Sequence, residues 1–160
     1  MKAAVLTVSD GVHGGTRDDR SGDALADLLS GEGFDVERRI VPDEADEIAA
    51  AIAALAEQAA VVLTTGGTGF APRDVTPEAT RRVIDREAPG VAEAIRADAR
   101  ARTPHALLSR GVAGLRGATL VVNLPGSPGG CRDGFAVLAP ALQHGLELAS
   151  GDHDTAHRQT

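Results

Sequence analysis

Tryptophan and tyrosine are absent from this chain, phenylalanine occurs three times, and Cys131 is the single cysteine. With aromatics at 2%, the sequence lacks the stacking platforms on which single-stranded nucleic acids are held. One thiol cannot build a disulfide framework, which points to a cytoplasmic setting. Cys131 lies in "SPGGCRDG" with no paired His or Cys, so it reads as a structural or incidental thiol. Lysine is almost missing as well: of 16 basic residues only Lys2 is a lysine. Genome composition explains that bias as well as function does. Its consequence is firm, because no interior lysine can complete a G-x-x-x-x-G-K-[ST] phosphate loop. A net charge of -7 argues against a surface that coats nucleic acid. No apolar run approaches the ~20 residues that cross a bilayer. The opening "MKAAVLTVSDG" also lacks the apolar core and cleavage site of a signal peptide.

What is present describes a globular chain. A length of 160 residues, 42% hydrophobic and 24% charged, suits one domain with a real core. The expectation is a single domain over 1–150 and a flexible polar tail over 151–160. "AAVLTV" (3–8), "AVVLTT" (60–65) and "ATLVVNL" (118–124) are short apolar runs bounded by turn residues, as buried parallel strands require. "FDVERRIV" (34–41) predicts a less buried strand, and "GVAGL" (111–115) a partner for 118–124 across Arg116-Gly117.

Helical signals fall between the strands. Leu25, Leu28 and Leu29 share a face, with Ser21 as N-cap and Gly31 or Gly33 as the stop. Ile48, Ile52, Leu55 and Ala59 repeat at helical spacing behind the acidic "PDEADE". Thr76 followed by Pro77 predicts an N-cap and first turn for "PEATRRVIDRE". A further helix covers 89–101, and the last covers 128–149, where Pro140 should kink or split it. Alternating strands and helices mean an α/β fold, a mainly parallel central sheet with helices on both faces.

Ligands of such sheets bind beyond the carboxyl ends of the strands. That rule selects "SDGVHGGTRDDRSG", "PDE", "TTGGTGFAPRD" and "NLPGSP", all rich in residues unsuited to packing. Glycine-rich turns converge backbone N–H groups on an anion, and helix starts at Ser21 and Thr76 add a positive dipole end. A phosphate-bearing small molecule is the natural tenant. "GGTGFAPRD" does not fit the G-x-G-x-x-G dinucleotide fingerprint, because Pro72 stands at the third glycine.

Together, "TTGGTG", "RDVTPEAT" and "NLPGSP", preceded by "SD", "DRSG" and "VPDE", resemble the Mog/MoaB family of molybdenum-cofactor biosynthesis over about residues 3–149. The resemblance implies a three-layer sandwich, the molybdopterin-binding-like fold, and a homotrimer or hexamer. It implies a molybdopterin adenylyltransferase, in which molybdopterin and Mg-ATP give adenylyl-molybdopterin and pyrophosphate. A downstream molybdenum-insertion protein is then a candidate recipient, with no nucleic acid or membrane as partner. The same domain occurs fused in larger molybdenum-insertion and competence-related proteins, for which this chain is short. The family's glycine-rich loop holds the pterin and its phosphate, and its functional aspartates fall at Asp43 and Asp74. On this reading Asp43 and Asp74 are the catalytic pair and hold magnesium. Ser9, Asp10, Ser21, Gly22, Thr65, Gly66, Gly67, Thr68, Gly69, Arg73, Thr76, Asn123, Pro125, Gly126 and Ser127 bind substrate.

The chemistry agrees on its own terms. A phosphate oxygen attacking the α-phosphorus of ATP needs two anions aligned and charge neutralised, which a divalent metal does well. Magnesium prefers one or two carboxylates plus substrate phosphates. Blander roles stay open for each residue. Asp43 could cap the following helix with Asp46 imitating a capping box. Asp74 could pair with Arg73 or Arg20, and Arg73 could be solvated. Ser9 and Asp10 could merely close a turn, Asn123 could bond backbone, and Thr76 and Ser127 could only start helices. His153 and His157 stand four apart in the tail, a weak metal spacing, while His13, His105 and His144 are isolated. A non-catalytic molybdopterin-binding or carrier protein of the MoaB type is the alternative function. An unrelated nucleotide-binding module on the same fold is a third.

Overall fold

The short apolar runs become strands because each is covered on both faces. The computed structural model describes residues 1–152. In chain order these form β1 (Lys2–Val8), a single helical turn α1 (Asp10–His13), α2 (Arg20–Gly31), β2 (Asp35–Val41), α3 (Ala45–Ala56) and β3 (Val61–Thr65). Then follow α4 (Thr76–Val83), β4 (Arg86–Glu87), α5 (Pro89–Arg100), a 3-10 turn (Pro104–Leu108), β5 (Ala113–Arg116), β6 (Thr119–Leu124) and α6 (Pro128–Ser150). The strands form one sheet in the order β2-β1-β3-β6-β5-β4. β2, β1, β3 and β6 run parallel, while β5 is antiparallel to both β6 and β4.

Successive strand side chains point to opposite faces, so each central strand feeds two cores. Ala3, Val5, Val61, Leu63, Val122 and Leu124 meet Leu25 and Leu29 of α2, Ile95 of α5, and Phe135 and Leu138 of α6. Ala4, Leu6, Val62 and Val121 meet Ile48, Ile52 and Leu55 of α3 and Ala79 of α4. The result is the expected three-layer α/β sandwich. Each fully buried Leu or Ile contributes roughly 1.5–3 kcal/mol, so both layers hold the sheet firmly. At its edges the sheet is guarded. β2 is exposed and charged through Glu37, Arg38 and Arg39, and β4 is only two residues long, both of which discourage further pairing.

Several boundaries differ from the sequence expectation. Asp19, not Ser21, caps α2: its carboxylate accepts from Gly22 N at 3.1 Å and is anchored by Thr7 Oγ1 at 2.9 Å and by Arg38 at 2.8 Å. Thr76 is already helical behind Val75, and its hydroxyl donates to the Gly66 carbonyl at 2.9 Å instead of capping. α4 stops at Val83 rather than Glu87, because Asp85 N and Ala88 N donate to Leu115 O and Ala113 O of β5. α3 ends at Ala56, leaving Ala59 buried just beyond it. α6 is one helix through Pro140. Pro140 and Ala136, whose carbonyl loses its partner, are both exposed, so solvent can serve that carbonyl. His153 and His157 lie outside the described residues.

Candidate active site

β1 connects to β2 on one side while β3 lies on the other, so the chain diverges between β1 and β3. An α/β sheet opens a crevice at such a point. Here the crevice is a polar cleft of about 430 Å³. All four glycine-rich and acidic loops reach it, through Ser9 and Ser21, Asp43, Thr65 to Gly67 with Asp74, and Gly126.

The glycine loop is tightly folded against its neighbours. Gly66 and Gly67 have φ of 98° and 68°, a region costly for any residue with a Cβ. A Cβ on Gly66 would lie 2.2 Å from the Val8 carbonyl oxygen, and one on Gly67 would lie 2.3 Å from Thr76 Oγ1 and 3.3 Å from Asp43 Oδ1. Gly66 N donates to Leu124 O at 3.3 Å, so that amide serves the fold. Among the described residues, the amides of Gly67, Thr68 and Gly69 have no protein acceptor. They are donors available to an anion.

Acidic groups face these donors. Asp43 does not cap α3, whose cap is Glu44 without a side-chain bond. Instead Asp43 and Asp10 exchange bonds, Asp10 N to Asp43 Oδ2 at 2.8 Å and Asp43 N to Asp10 Oδ1 at 3.0 Å. Asp46 pairs with Arg82 and forms no capping box. Burial pushes the Asp43 carboxyl up from its ordinary value, against the Asp10 amide, and the charges of Asp10 and Asp74 add to the push. Asp74 pairs with neither Arg73 nor Arg20. Its Oδ2 accepts from Ala71 N at 3.0 Å within its own turn. Arg73 grips Asp10 through Nε at 2.7 Å and Nη2 at 3.0 Å, and Glu44 at 3.0 Å. The Arg73 hydrogen bonds, then the Asp43 amide, hold the Asp10 carboxyl down at about 2. Arg73 is thus tied to two carboxylates and stands outside the cleft lining.

The remaining expected residues divide. Ser9 lines the cleft and also caps α1, accepting from Val12 N at 3.2 Å. Asp10, Gly22 and Thr76 are not among the residues that line it. Thr65 lines it while donating to Pro125 O at 2.7 Å. Asn123 does not reach the cleft: its Nδ2 donates to Thr64 and Thr80 Oγ1, both at 3.0 Å, and its Oδ1 accepts from Val112 N at 3.1 Å. Its buried amide is committed to the fold. Thr68, Gly69, Pro125 and Ser127 border a second hollow of about 350 Å³ on the other side of the glycine loop, with Ile95, Ala99 and His105. Ser127 also caps α6, accepting from Gly130 N at 3.1 Å.

Sequence reasoning gave no ligand role to three arginines, of which it named Arg20 only as a possible partner of Asp74. Arg17 and Arg20 line the polar cleft with no acidic partner among the described residues. Their signal was position, inside the stretch "SDGVHGGTRDDRSG" that follows the first strand. Arg110 binds the back of the glycine loop. It follows no strand end, so no local pattern marked it.

Known proteins resemble this chain in sequence and fold. The chain is 37% identical over 154 residues to the molybdopterin adenylyltransferase of Helicobacter pylori strain J99, covering 93% of this chain and 88% of that one. It is 42% identical over 153 residues to the molybdenum cofactor synthesis protein cinnamon of Drosophila melanogaster, where it spans 25% of the larger protein. The crystal structure of the molybdopterin biosynthesis enzyme MoaB from Thermus thermophilus superposes with a TM-score of 0.87 at 46% identity, covering 94% of this chain and 96% of that one. The family described as "Probable molybdopterin binding domain" matches residues 4–144, and the chain belongs to it.

Proposed function

We propose that this chain is a molybdopterin adenylyltransferase of molybdenum-cofactor biosynthesis. It takes the adenylyl group of Mg-ATP onto the phosphate of molybdopterin. The observation that carries the reading is one glycine loop with both kinds of recognition beside it: Gly67, whose amide is open to an anion, lines the cleft with Asp43 and Asp74 for a cation, and the open amides of Thr68 and Gly69 follow at the adjoining hollow. A phosphate oxygen of molybdopterin forms the new bond to the α-phosphorus. The α–β bridge breaks, and pyrophosphate leaves with its electron pair. No general base is required, because the attacking phosphate is already ionised.

The residues present fit magnesium. Asp43 and Asp74 each engage one carboxylate oxygen through Oδ2, leaving Oδ1 without a protein donor among the described residues. Among those residues no group of three or more His, Cys, Asp or Glu side chains gathers. Two carboxylates completed by substrate phosphates suit Mg²⁺ better than an all-protein cage. Bound there, the metal would neutralise charge developing on pyrophosphate. Burial raises the Asp43 carboxyl first and the charges of Asp10 and Asp74 add to it, and that like-charge crowding also favours a cation. The second hollow, lined by Thr68 and Gly69, supports a separate pocket for the other substrate next to the cleft. The name of the Helicobacter relative supports the reaction.

The working form is a cytoplasmic homotrimer. Exposed Leu107 and Leu108 leave apolar surface that self-association would cover, and light scattering at micromolar concentration checks the mass. No helix among the described residues is long and apolar enough to cross a membrane.

Pyrophosphate release from Mg-ATP, with and without molybdopterin, tests the reaction. Asp74→Asn keeps size and fold but should lower that rate roughly 10²–10³-fold, with molybdopterin affinity retained. A wild-type rate for Asp74→Asn removes this residue from the chemistry. Molybdopterin binding without pyrophosphate release in the wild type favours the carrier reading.

A further inference from the structure

Arg110 follows the 3-10 turn and reaches the glycine loop from behind. Its backbone N–H donates to Thr68 O at 2.8 Å. Its Nε donates to Gly69 O at 2.8 Å and its Nη2 to Asp74 O at 2.7 Å. Its Nη1 binds the Glu78 carboxylate in the first turn of α4. One planar guanidinium therefore joins the two ends of the 69–74 turn and ties both to the helix that follows.

Among the described residues nothing else spans those ends in the same way. Within the turn, Ala71 N holds Asp74 Oδ2 at 3.0 Å and Asp74 N donates to Ala71 O at 2.9 Å. Thr76 anchors only the front of the loop, through Gly66 O and Gly67 O. The place of the Asp74 carboxylate thus follows from the curvature of 69–74. A guanidinium has five N–H donors in a rigid fork, whereas an ammonium is a point charge on a flexible stem. Only the fork can serve Gly69 O, Asp74 O and Glu78 together.

We infer that Arg110 is a positioning residue, which holds the 69–74 turn closed and so sets the Asp74 carboxylate in the cleft. The inference rests on the adenylyl-transfer reading for its kinetic consequence, but its structural half is measurable without it.

The test compares wild type, Arg110→Ala and Arg110→Lys as full chains, with circular dichroism and melting curves to identify folded variants. Arg110→Lys keeps the charge and the Glu78 pairing if the alanine variant does not fold. A misplaced reacting group costs roughly 10²-fold. Arg110→Ala should therefore lose about 10- to 100-fold in kcat, with KM for ATP and molybdopterin within about 3-fold of wild type. More Mg²⁺ should be needed for half-maximal rate, and millimolar guanidinium should restore part of the lost rate. Arg110→Lys should resemble Arg110→Ala. Unchanged kcat, full rescue by lysine, or a rise in KM alone would each overturn the inference. Amide hydrogen exchange supplies the independent arm. Ala71 and Asp74 amides should exchange faster in both variants while β3 is unaffected, and unchanged exchange there also overturns the inference. If the wild type releases no pyrophosphate, the function reading fails and the exchange data alone decide whether Arg110 holds the turn.

Discussion

Replacing Gly66 by alanine probes whether the glycine loop is shaped by contact with the sheet or only by local turn preference. Gly66 has φ of 98°, and a Cβ there would lie 2.2 Å from the Val8 carbonyl oxygen. That is well over 1 Å inside the ~3.5 Å optimum for two heavy atoms. The obstacle is backbone at the end of a buried strand, so it cannot swing away as a flexible side chain would. Left-handed backbone costs a side-chain-bearing residue about 1–2 kcal/mol, and forced overpacking about 1–3 kcal/mol more. Gly66→Ala should therefore lose about 2–5 kcal/mol. For a domain of this size about 2–4 °C accompanies each kcal/mol, so Tm should fall by about 4–20 °C. Gly31→Ala is the control. Gly31 ends α2 and has open space where a Cβ would go. Better helix propensity should leave that variant neutral or up to about 1 kcal/mol more stable. Urea denaturation of both variants reads the difference directly. The displaced loop should also weaken molybdopterin binding in Gly66→Ala alone. A loss under about 1 kcal/mol at Gly66, or an equal loss at Gly31, would refute the steric reasoning.

Three further outcomes follow from the same contacts. Asp10 has a folded pKa of about 2, below its ordinary value of 3.8, because Arg73 grips it. Whatever stability the pair adds is present above about pH 4 and lost as pH falls towards 2. In a carboxyl NMR titration, Arg73→Ala should bring the Asp10 midpoint back up towards the ordinary range, and an unmoved midpoint would show that Arg73 is not the cause. Asn123→Ala leaves Val112 N and the Thr64 hydroxyl without their buried partner, while the Thr80 hydroxyl keeps its bond to Thr76 O, so it should cost about 2–6 kcal/mol in denaturant at ~1–3 kcal/mol for each of the two orphaned groups. Molybdopterin affinity per folded molecule should stay near wild type, and a large affinity loss at full stability would return Asn123 to the substrate. Burial pushes the Cys131 thiol up to about 11, so a disulfide reagent at pH 8 should label it only as fast as the protein unfolds. Immediate stoichiometric labelling of the folded chain would contradict its burial.

The central strands and the helices between them were legible because burial on two faces demands uninterrupted apolar runs, and helices demand a repeat near 3.6. The acidic and glycine-rich loops were legible through the rule that α/β sheets bind ligands beyond their strand ends. Asp43, Asp74 and Gly67 do share one cleft. Local pattern failed where a polar residue had several partners within reach. Ser21 and Asp19 could equally cap a helix, and only the anchoring of Asp19 by Thr7 and Arg38 decided between them. Residues 84–87 continue a helical pattern, yet the open edge of β5 claims their backbone.

The sequence by itself determined the layer architecture, the loops that carry chemistry and the exclusion of several nucleotide-binding classes. Those properties depend on residue order along the chain, which periodicity and turn chemistry report. Tertiary structure alone decided which side chains are free. Arg73 is spent on Asp10 and Glu44, Asn123 on Thr64, Thr80 and Val112, and Arg110 on carbonyls 36 and 41 residues away. A polar side chain is available to a ligand only when no nearer group satisfies it, and those nearer groups come from distant parts of the chain.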